Sequence, residues 1–252
     1  MSTKRTSKLT IVNDTHDAPP PPRSTNTLRL KLDSLKAFTP LTENQKIFFD
    51  AYKRGDYFVA LHGVAGTGKT FIACYKALEE VLDKNNNFNK IIIVRSAVQS
   101  REMGHLPGDV NDKLEIYQQP YRQICHTLFD RKDAYDRLVE QGYIEFISTS
   151  FIRGMSFDDA IIIVDEIQNM NFEEIDTVMT RVGYRSKIIW CGDYRQTDLR
   201  KNGDRSGILK FFDIAHHMNA FTRVEFTVDD IVRSSLVKDY IIAKLKYEDL
   251  VP

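Results

Sequence analysis

The densest chemistry in the chain lies in eight residues, Gly63-Val-Ala-Gly-Thr-Gly-Lys-Thr70. Gly63, Gly68, Lys69 and Thr70 occupy the fixed positions of the phosphate-loop pattern G-x-x-x-x-G-K-[ST]. Glycines let such a loop turn tightly, so that successive backbone N–H groups converge on phosphate oxygens. A helix starting behind the loop adds the positive end of its dipole. Lys69 is placed to reach the outer phosphates, and the Thr70 hydroxyl to hold a magnesium ion. Val64, Ala65, Gly66 and Thr67, with Phe71 just beyond, complete the expected cradle. The flanks agree with it, because an apolar run, 57–62, enters the loop and a helix-compatible run, 71–82, leaves it. The expectation is a binding site for ATP with Mg2+.

A second group follows at the end of an aliphatic run, Ile161-Ile-Ile-Val-Asp-Glu166. Side chains adjacent on a strand diverge, which suits two carboxylates to two tasks. Asp165 is expected to hold magnesium through a water, and Glu166 to orient and polarise an attacking water. The next apolar run ends in Cys191-Gly-Asp-Tyr-Arg-Gln196, where Gln196, supported by Asp193, is the candidate sensor of the γ-phosphate. Charge developing on that phosphate needs a cation beyond Lys69. Arg181 and Arg233 are the two candidates for a finger reaching a neighbouring subunit, or each is a surface arginine.

These residues must be positioned by elements legible in the pattern. Short β-branched runs at 91–94, 144–147, 161–164, 188–191 and 224–226 are separated by helix-length segments. Continuous apolar strands alternating with helices indicate a parallel sheet covered on both faces. Right-handed crossovers then give a three-layer α/β domain with its ligands at the carboxyl ends of the strands. Thr42-Glu-Asn-Gln45 reads as a capping box ahead of an amphipathic run, 46–54. Gln45 also stands where a glutamine can read an adenine edge, so it caps, recognises the base, or does both. Residues 96–113 form a long connection in which Arg101 and Lys113, with Arg122 beyond it, either contact nucleic acid or face solvent.

Composition narrows the class. The 252 residues carry 35 basic and 35 acidic side chains, but residues 1–38 are net +4 and the remainder net −4. Residues 1–26 are polar, with the run Pro19-Pro-Pro-Pro22, and read as an extended basic tail that binds nucleic acid or only solubilises. Leucines 28, 30, 32 and 35 are expected to dock residues 27–38 on the domain, partly as a strand. The organisation is therefore a flexible tail, 1–38, and one catalytic domain, 39–252. Three scattered cysteines without metal spacing suit a reducing compartment. No run reaches the ~20 apolar residues of a membrane helix, and no signal-peptide core opens the chain. A cytoplasmic protein is expected.

Taken together, the motifs resemble the PhoH family of P-loop ATPases over residues 40–245. The segments that carry the resemblance are Gly63 to Thr70, Gly104-His-Leu-Pro-Gly-Asp109, Phe151-Ile-Arg-Gly154, Ile163-Val-Asp-Glu-Ile-Gln-Asn169, Thr180-Arg-Val-Gly183, Gly192-Asp-Tyr-Arg-Gln-Thr-Asp198 and Ile231-Val-Arg233. The resemblance implies a RecA-like fold similar to the first motor domain of superfamily-one helicases. It also implies ATP hydrolysis with Mg2+, a homo-oligomer with a hexameric ring favoured, and RNA or another single-stranded nucleic acid as partner. The short form looks like a phage version. By position, Lys69 and Thr70 bind phosphate and magnesium, Asp165 and Glu166 perform metal and water chemistry, Gln196 senses the γ-phosphate, and Arg181 and Arg233 gain weight as fingers. Arg95-Ser96, Glu115-Ile-Tyr117 and Arg233-Ser-Ser235 depart from the family pattern near the expected substrate loop and subunit edge.

The leading expectation is an ATP-driven remodeler of single-stranded nucleic acid. The alternative is a nucleotide-gated protein whose ATP state controls assembly or docking on a host protein. A small-molecule kinase fits less well, because Glu166 beside Asp165 favours water as the acceptor.

Overall fold

Each β-branched run forms a strand, and the two-residue repeat of a strand decides which face each side chain joins. The computed structural model describes residues 29–96, 110–193 and 202–250. In chain order the elements are α1 (Glu43–Lys53), β1 (Phe58–Gly63), α2 (Lys69–Leu82), β2 (Lys90–Arg95), α3 (Val110–Phe129), α4 (Ala134–Glu140) and β3 (Ile144–Ser148). They continue with β4 (Ala160–Asp165), α5 (Phe172–Met179), β5 (Lys187–Gly192), α6 (Asn202–His216), β6 (Phe221–Phe226) and α7 (Ser235–Leu250).

The strands make one six-stranded sheet, ordered β3-β2-β4-β5-β1-β6, with every pairing parallel. Ile91, Ile93, Ile161, Ile163 and Ile189 point to one face and pack under α1 to α4. Ile92, Val94, Ile162, Val164, Ile188 and Trp190 point to the other face and pack under α5 and α6. Fully burying one such aliphatic side chain is worth about 1.5–3 kcal/mol. This is the three-layer α/β architecture expected from the sequence, and the parallel strands align all their carboxyl ends along one edge.

The strand order adds a detail that periodicity does not contain. β5 lies between β1, which enters the phosphate loop, and β4, which carries the carboxylates. β2 pairs with β4 in a register that sets Arg95 beside Asp165.

Residues 29–38 pack against the domain. Leu30 is buried, while Leu32, Leu35 and Phe38 lie on the core beneath α1 to α4. Leu32–Ser34 makes a 3-10 turn where a strand was expected, and Lys36 N donates to Leu128 O of α3. The long connection is shorter than the sequence suggested, because α3 already begins at Val110. Arg101 lies outside the described residues, and Lys113 falls within α3. Arg122 is engaged within the fold: it pairs with Asp136 and stacks over the Tyr135 ring at 5.1 Å. His62 is buried in β1, where its Nε2 accepts from Arg223 Nε. Burial and the cations Arg223 and Lys69 push its pKa down to about 3. Among the described residues no helix is long and apolar enough to cross a membrane.

Candidate active site

Residues 63–70 turn tightly from β1 into α2. Gly63 has φ 119°, and a Cβ there would stand 2.1 Å from the Phe226 carbonyl oxygen, so only glycine fits between β1 and β6. Gly68 adopts the left-handed conformation as it caps α2, a geometry that glycine takes without steric cost. Thr67 Oγ1 donates to Val64 O at 3.0 Å. The Lys69 ammonium curls into the loop and donates to Gly63 O at 2.9 Å, Val64 O at 2.7 Å and Thr67 Oγ1 at 3.2 Å. Burial pushes the Lys69 pKa down, opposed by the nearby Asp193, Cys191, Glu166 and Asp165.

Two neighbouring segments brace this loop. On one side Gln45 of α1 is buried, and both ends of its amide bind backbone. Its Oε1 accepts from Leu41 N at 2.8 Å, and its Nε2 donates to Thr67 O at 3.0 Å. Thr42 caps the helix by accepting from Gln45 N. The Gln45 side chain reaches back one residue further than a capping box requires and ties α1 to the phosphate loop. On the other side, the strand-to-helix segment after β6 straps the loop. Val64 N donates to Phe226 O at 3.0 Å, and Val232 N donates to Gly66 O at 3.1 Å. That strap carries Arg233 into the cleft of its own chain, with its Cγ 3.1 Å from where a Gly66 Cβ would stand.

The carboxylates meet the loop across β5. Thr70 Oγ1 donates to Asp165 Oδ1 at 2.7 Å, and the buried Tyr121 hydroxyl of α3 donates to Asp165 Oδ2 at 2.8 Å. Burial and then the Asp165 charge hold the Tyr121 phenol well above its ordinary pKa, so it remains a donor. A hydroxyl and one carboxylate form an oxygen donor set suited to Mg2+, which keeps most of its waters and takes further oxygens from phosphate. The residues present therefore fit the expected ion.

Glu166 follows β4 with φ 54°, a conformation that costs a non-glycine residue about 1 kcal/mol or more. Its carboxylate accepts from Gln168 Nε2, while Gln168 Oε1 accepts from Asp193 N at 3.0 Å. A Cβ at residue 192 would meet Gln168 Oε1 at 2.3 Å, so the bare Gly192 makes room for this bridge. Burial, followed by the Asp165 charge, raises the Glu166 pKa above its ordinary value, against the pull of Arg95, Gln168 and Lys69.

Phosphate loop, carboxylates and strap enclose one cleft of about 670 Å3. Its lining includes Gly66, Lys69, Thr70, Asp165, Glu166, Arg95 and Arg233 together with Phe38, Leu41, Gln45, Phe71 and Ile124. Arg181 stands elsewhere. Its carbonyl accepts from Phe157 N at 2.9 Å, three residues before β4 begins and at the opposite end of the sheet from Asp165. Gln196 lies outside the described residues.

Comparisons with known proteins place the chain in a family. The family model described as "PhoH-like protein" matches residues 37–244. The chain belongs to the PhoH-like family. The PhoH-like protein of Mycobacterium leprae (strain TN) is 34% identical over 229 residues, covering 90% of this chain and 64% of the relative. The PhoH-like protein of Bacillus subtilis (strain 168) is 36% identical over 209 residues, covering 82% of this chain and 64% of the relative. The chain thus spans 64% of the length of each of these curated relatives. Among solved structures, the large terminase from a thermophilic bacteriophage matches with a TM-score of 0.47 and 12% identity, over 80% of this chain and 50% of that one.

In this PhoH-like chain the site also takes in residues to which the sequence assigned no role there. Arg95 lines the cleft at the end of β2 and stacks over Tyr117 at 5.3 Å. Tyr121 holds Asp165, and Gln168 holds Glu166. Glu174, which completes the capping box of α5 with Asn171, also accepts from Ser96 and Thr149 at the ends of β2 and β3. Arg95 closes an apolar run in the same way as Asp165 does, and that placement was a usable signal. Tyr121 has no such signal, since it is one aromatic among several on an amphipathic helix.

Proposed function

We propose that this chain is a Mg2+-dependent ATP hydrolase that works in the cytoplasm as an ATP-driven remodeler of RNA or other single-stranded nucleic acid. The observation that carries the reading is the Thr70–Asp165 hydrogen bond, which joins the phosphate loop to the carboxylate strand beside Glu166. In the reaction, Glu166 orients a water and takes its proton as the water oxygen bonds to the γ-phosphorus. The bond from that phosphorus to the β–γ bridging oxygen breaks, and ADP keeps the electron pair. Lys69 leaves its loop carbonyls for the phosphates, and Arg95 and Arg233 neutralise the charge that develops. Thr70 and, through a water, Asp165 would hold Mg2+, which would supply Lewis-acid stabilisation of the phosphate oxygens. Gln168 holds Glu166 in place, and Gln196 senses the γ-phosphate.

Arg233 lines the cleft of its own chain, which favours action in cis. Arg181 is then the candidate for action on a neighbour in a homo-oligomer, for which a hexameric ring is the favoured form.

A second reading has its own support. α7 leaves Leu236, Val237, Tyr240 and Tyr247 exposed, and its Ile241 Cδ1 comes within 3.3 Å of the Gly66 Cβ position. A helix that exposes apolar side chains and touches the phosphate loop suits a nucleotide-gated switch that docks on a partner such as a host protein.

ATP turnover measured across a protein-concentration series, with molar mass by light scattering and with or without single-stranded RNA, separates the two. Turnover per subunit that rises with assembly and again with RNA supports the motor. Turnover from a monomer that ignores RNA supports the switch. No turnover with Mg2+ under any of these conditions rejects hydrolysis.

A further inference from the structure

A short anchored turn at the carboxyl end of β3 exposes an aromatic ring and an arginine. Thr149–Phe151 forms one 3-10 turn, in which Ser148 Oγ accepts from Ser150 N and Thr149 Oγ1 donates to Glu174 Oε1. Ile152 is fully buried, whereas Phe151 keeps 56% of its surface exposed and Arg153 is exposed. Both neighbours of Phe151 are therefore fixed, and its ring faces water because of how the turn is held.

Single exposed apolar residues are ordinary on a protein surface, but three features set Phe151 apart. It lies on the sheet edge where parallel α/β domains bind their ligands. Arg153, two residues on, has no ion pair among the described residues. The turn is also wired to the nucleotide cleft. Glu174 Oε1 accepts from both Thr149 Oγ1 and Ser96 Oγ, and Ser96 follows Arg95, which lines the cleft.

We propose that Phe151 and Arg153 form a contact for single-stranded nucleic acid, with a base stacked on the Phe151 ring and a backbone phosphate against the Arg153 guanidinium. An unstacked base exposes the π-face that an aromatic platform needs, and bases inside a duplex do not. The contact rests on the motor reading above and locates its substrate. Ser96 and Glu174 connect the turn to Arg95 at the cleft.

The test uses the full chain and a fluorescein-labelled oligouridylate of about 12 nucleotides, followed by anisotropy. Phe151→Ala is expected to weaken binding about 5- to 100-fold, and Phe151→Tyr to restore it. Arg153→Ala is expected to lower the slope of log affinity against log salt by roughly 0.7. RNA-free ATP turnover stays at the wild-type rate in all three variants, which checks that the fold is intact. Wild-type affinity in Phe151→Ala and Arg153→Ala overturns the contact and leaves the motor reading standing. A wild-type chain that binds no oligonucleotide overturns both. A fall in molar mass of Phe151→Ala, with affinity unchanged, reassigns the ring to self-association and overturns the contact.

Discussion

The Thr70 hydroxyl donates to Asp165 Oδ1 at 2.7 Å although 95 positions separate the two residues. This contact crosses β5, which lies between their strands, and brings the first turn of α2 to the carboxyl end of β4. With Tyr121 on its second oxygen, Asp165 is aimed from two sides.

Tyr121→Phe removes one donor and leaves a buried carboxylate oxygen unsatisfied, a loss of about 1–3 kcal/mol. For a chain of this size the melting temperature is expected to fall by roughly 2–10 °C. Because Asp165 is then less well aimed, the Mg2+ concentration for half-maximal ATP turnover is expected to rise. Calorimetry and a Mg2+ titration read the two effects separately. An unchanged Mg2+ requirement would show that the phenol only packs.

Glu166→Gln keeps the side-chain shape and the link to Gln168 but cannot accept a proton. ATP binding should persist while turnover falls by about 10²–10⁴-fold. Burial and Asp165 raise the Glu166 pKa, and the ionised form is the active one. Turnover should therefore rise with pH along an acid limb displaced above the usual carboxylate range. A kcat–pH profile checks this, and a limb at or below that range would remove Glu166 as the base.

Gly192→Ala places a methyl group 2.3 Å from Gln168 Oε1 and 2.6 Å from Ile167 Cγ2. Gln168 must move, and Glu166 loses its support. Overpacking of this kind costs about 1–3 kcal/mol, and turnover should fall at least about 10-fold by comparison with the loss of a positioned catalytic group. Binding of a fluorescent ATP analogue should stay within about twofold, because the phosphate loop is untouched. Wild-type turnover in this variant would show that the Gln168 bridge is dispensable.

Arg233→Ala should lower ATP turnover by about 100-fold, the scale of a lost transition-state donor, at every protein concentration. Arg181→Ala should lower it only where light scattering shows assembled chains. If the Arg233 defect instead appears only on assembly, that arginine serves a neighbouring subunit.

Much of this molecule was determined by local sequence. Gly63, Gly68, Lys69 and Thr70 specify a phosphate loop because turn, dipole, cation and hydroxyl all come from consecutive residues. The β-branched runs specify buried parallel strands because they are short, β-branched and separated by helix-length segments, as strands covered on both faces require. Asp165 and Glu166 were legible as the end of such a run. Tertiary structure decided what depends on approach from elsewhere in the chain. It set β5 between the loop and the carboxylates, turned both ends of the Gln45 amide onto backbone, and brought Arg233 into its own cleft while leaving Arg181 at the far end of the sheet. It also delivered Tyr121 to Asp165 and Gln168 to Glu166. Hydrogen bonds between distant residues depend on how helices dock and how strands are ordered. Those choices are made by packing over the whole core, so no local pattern of residue types records them.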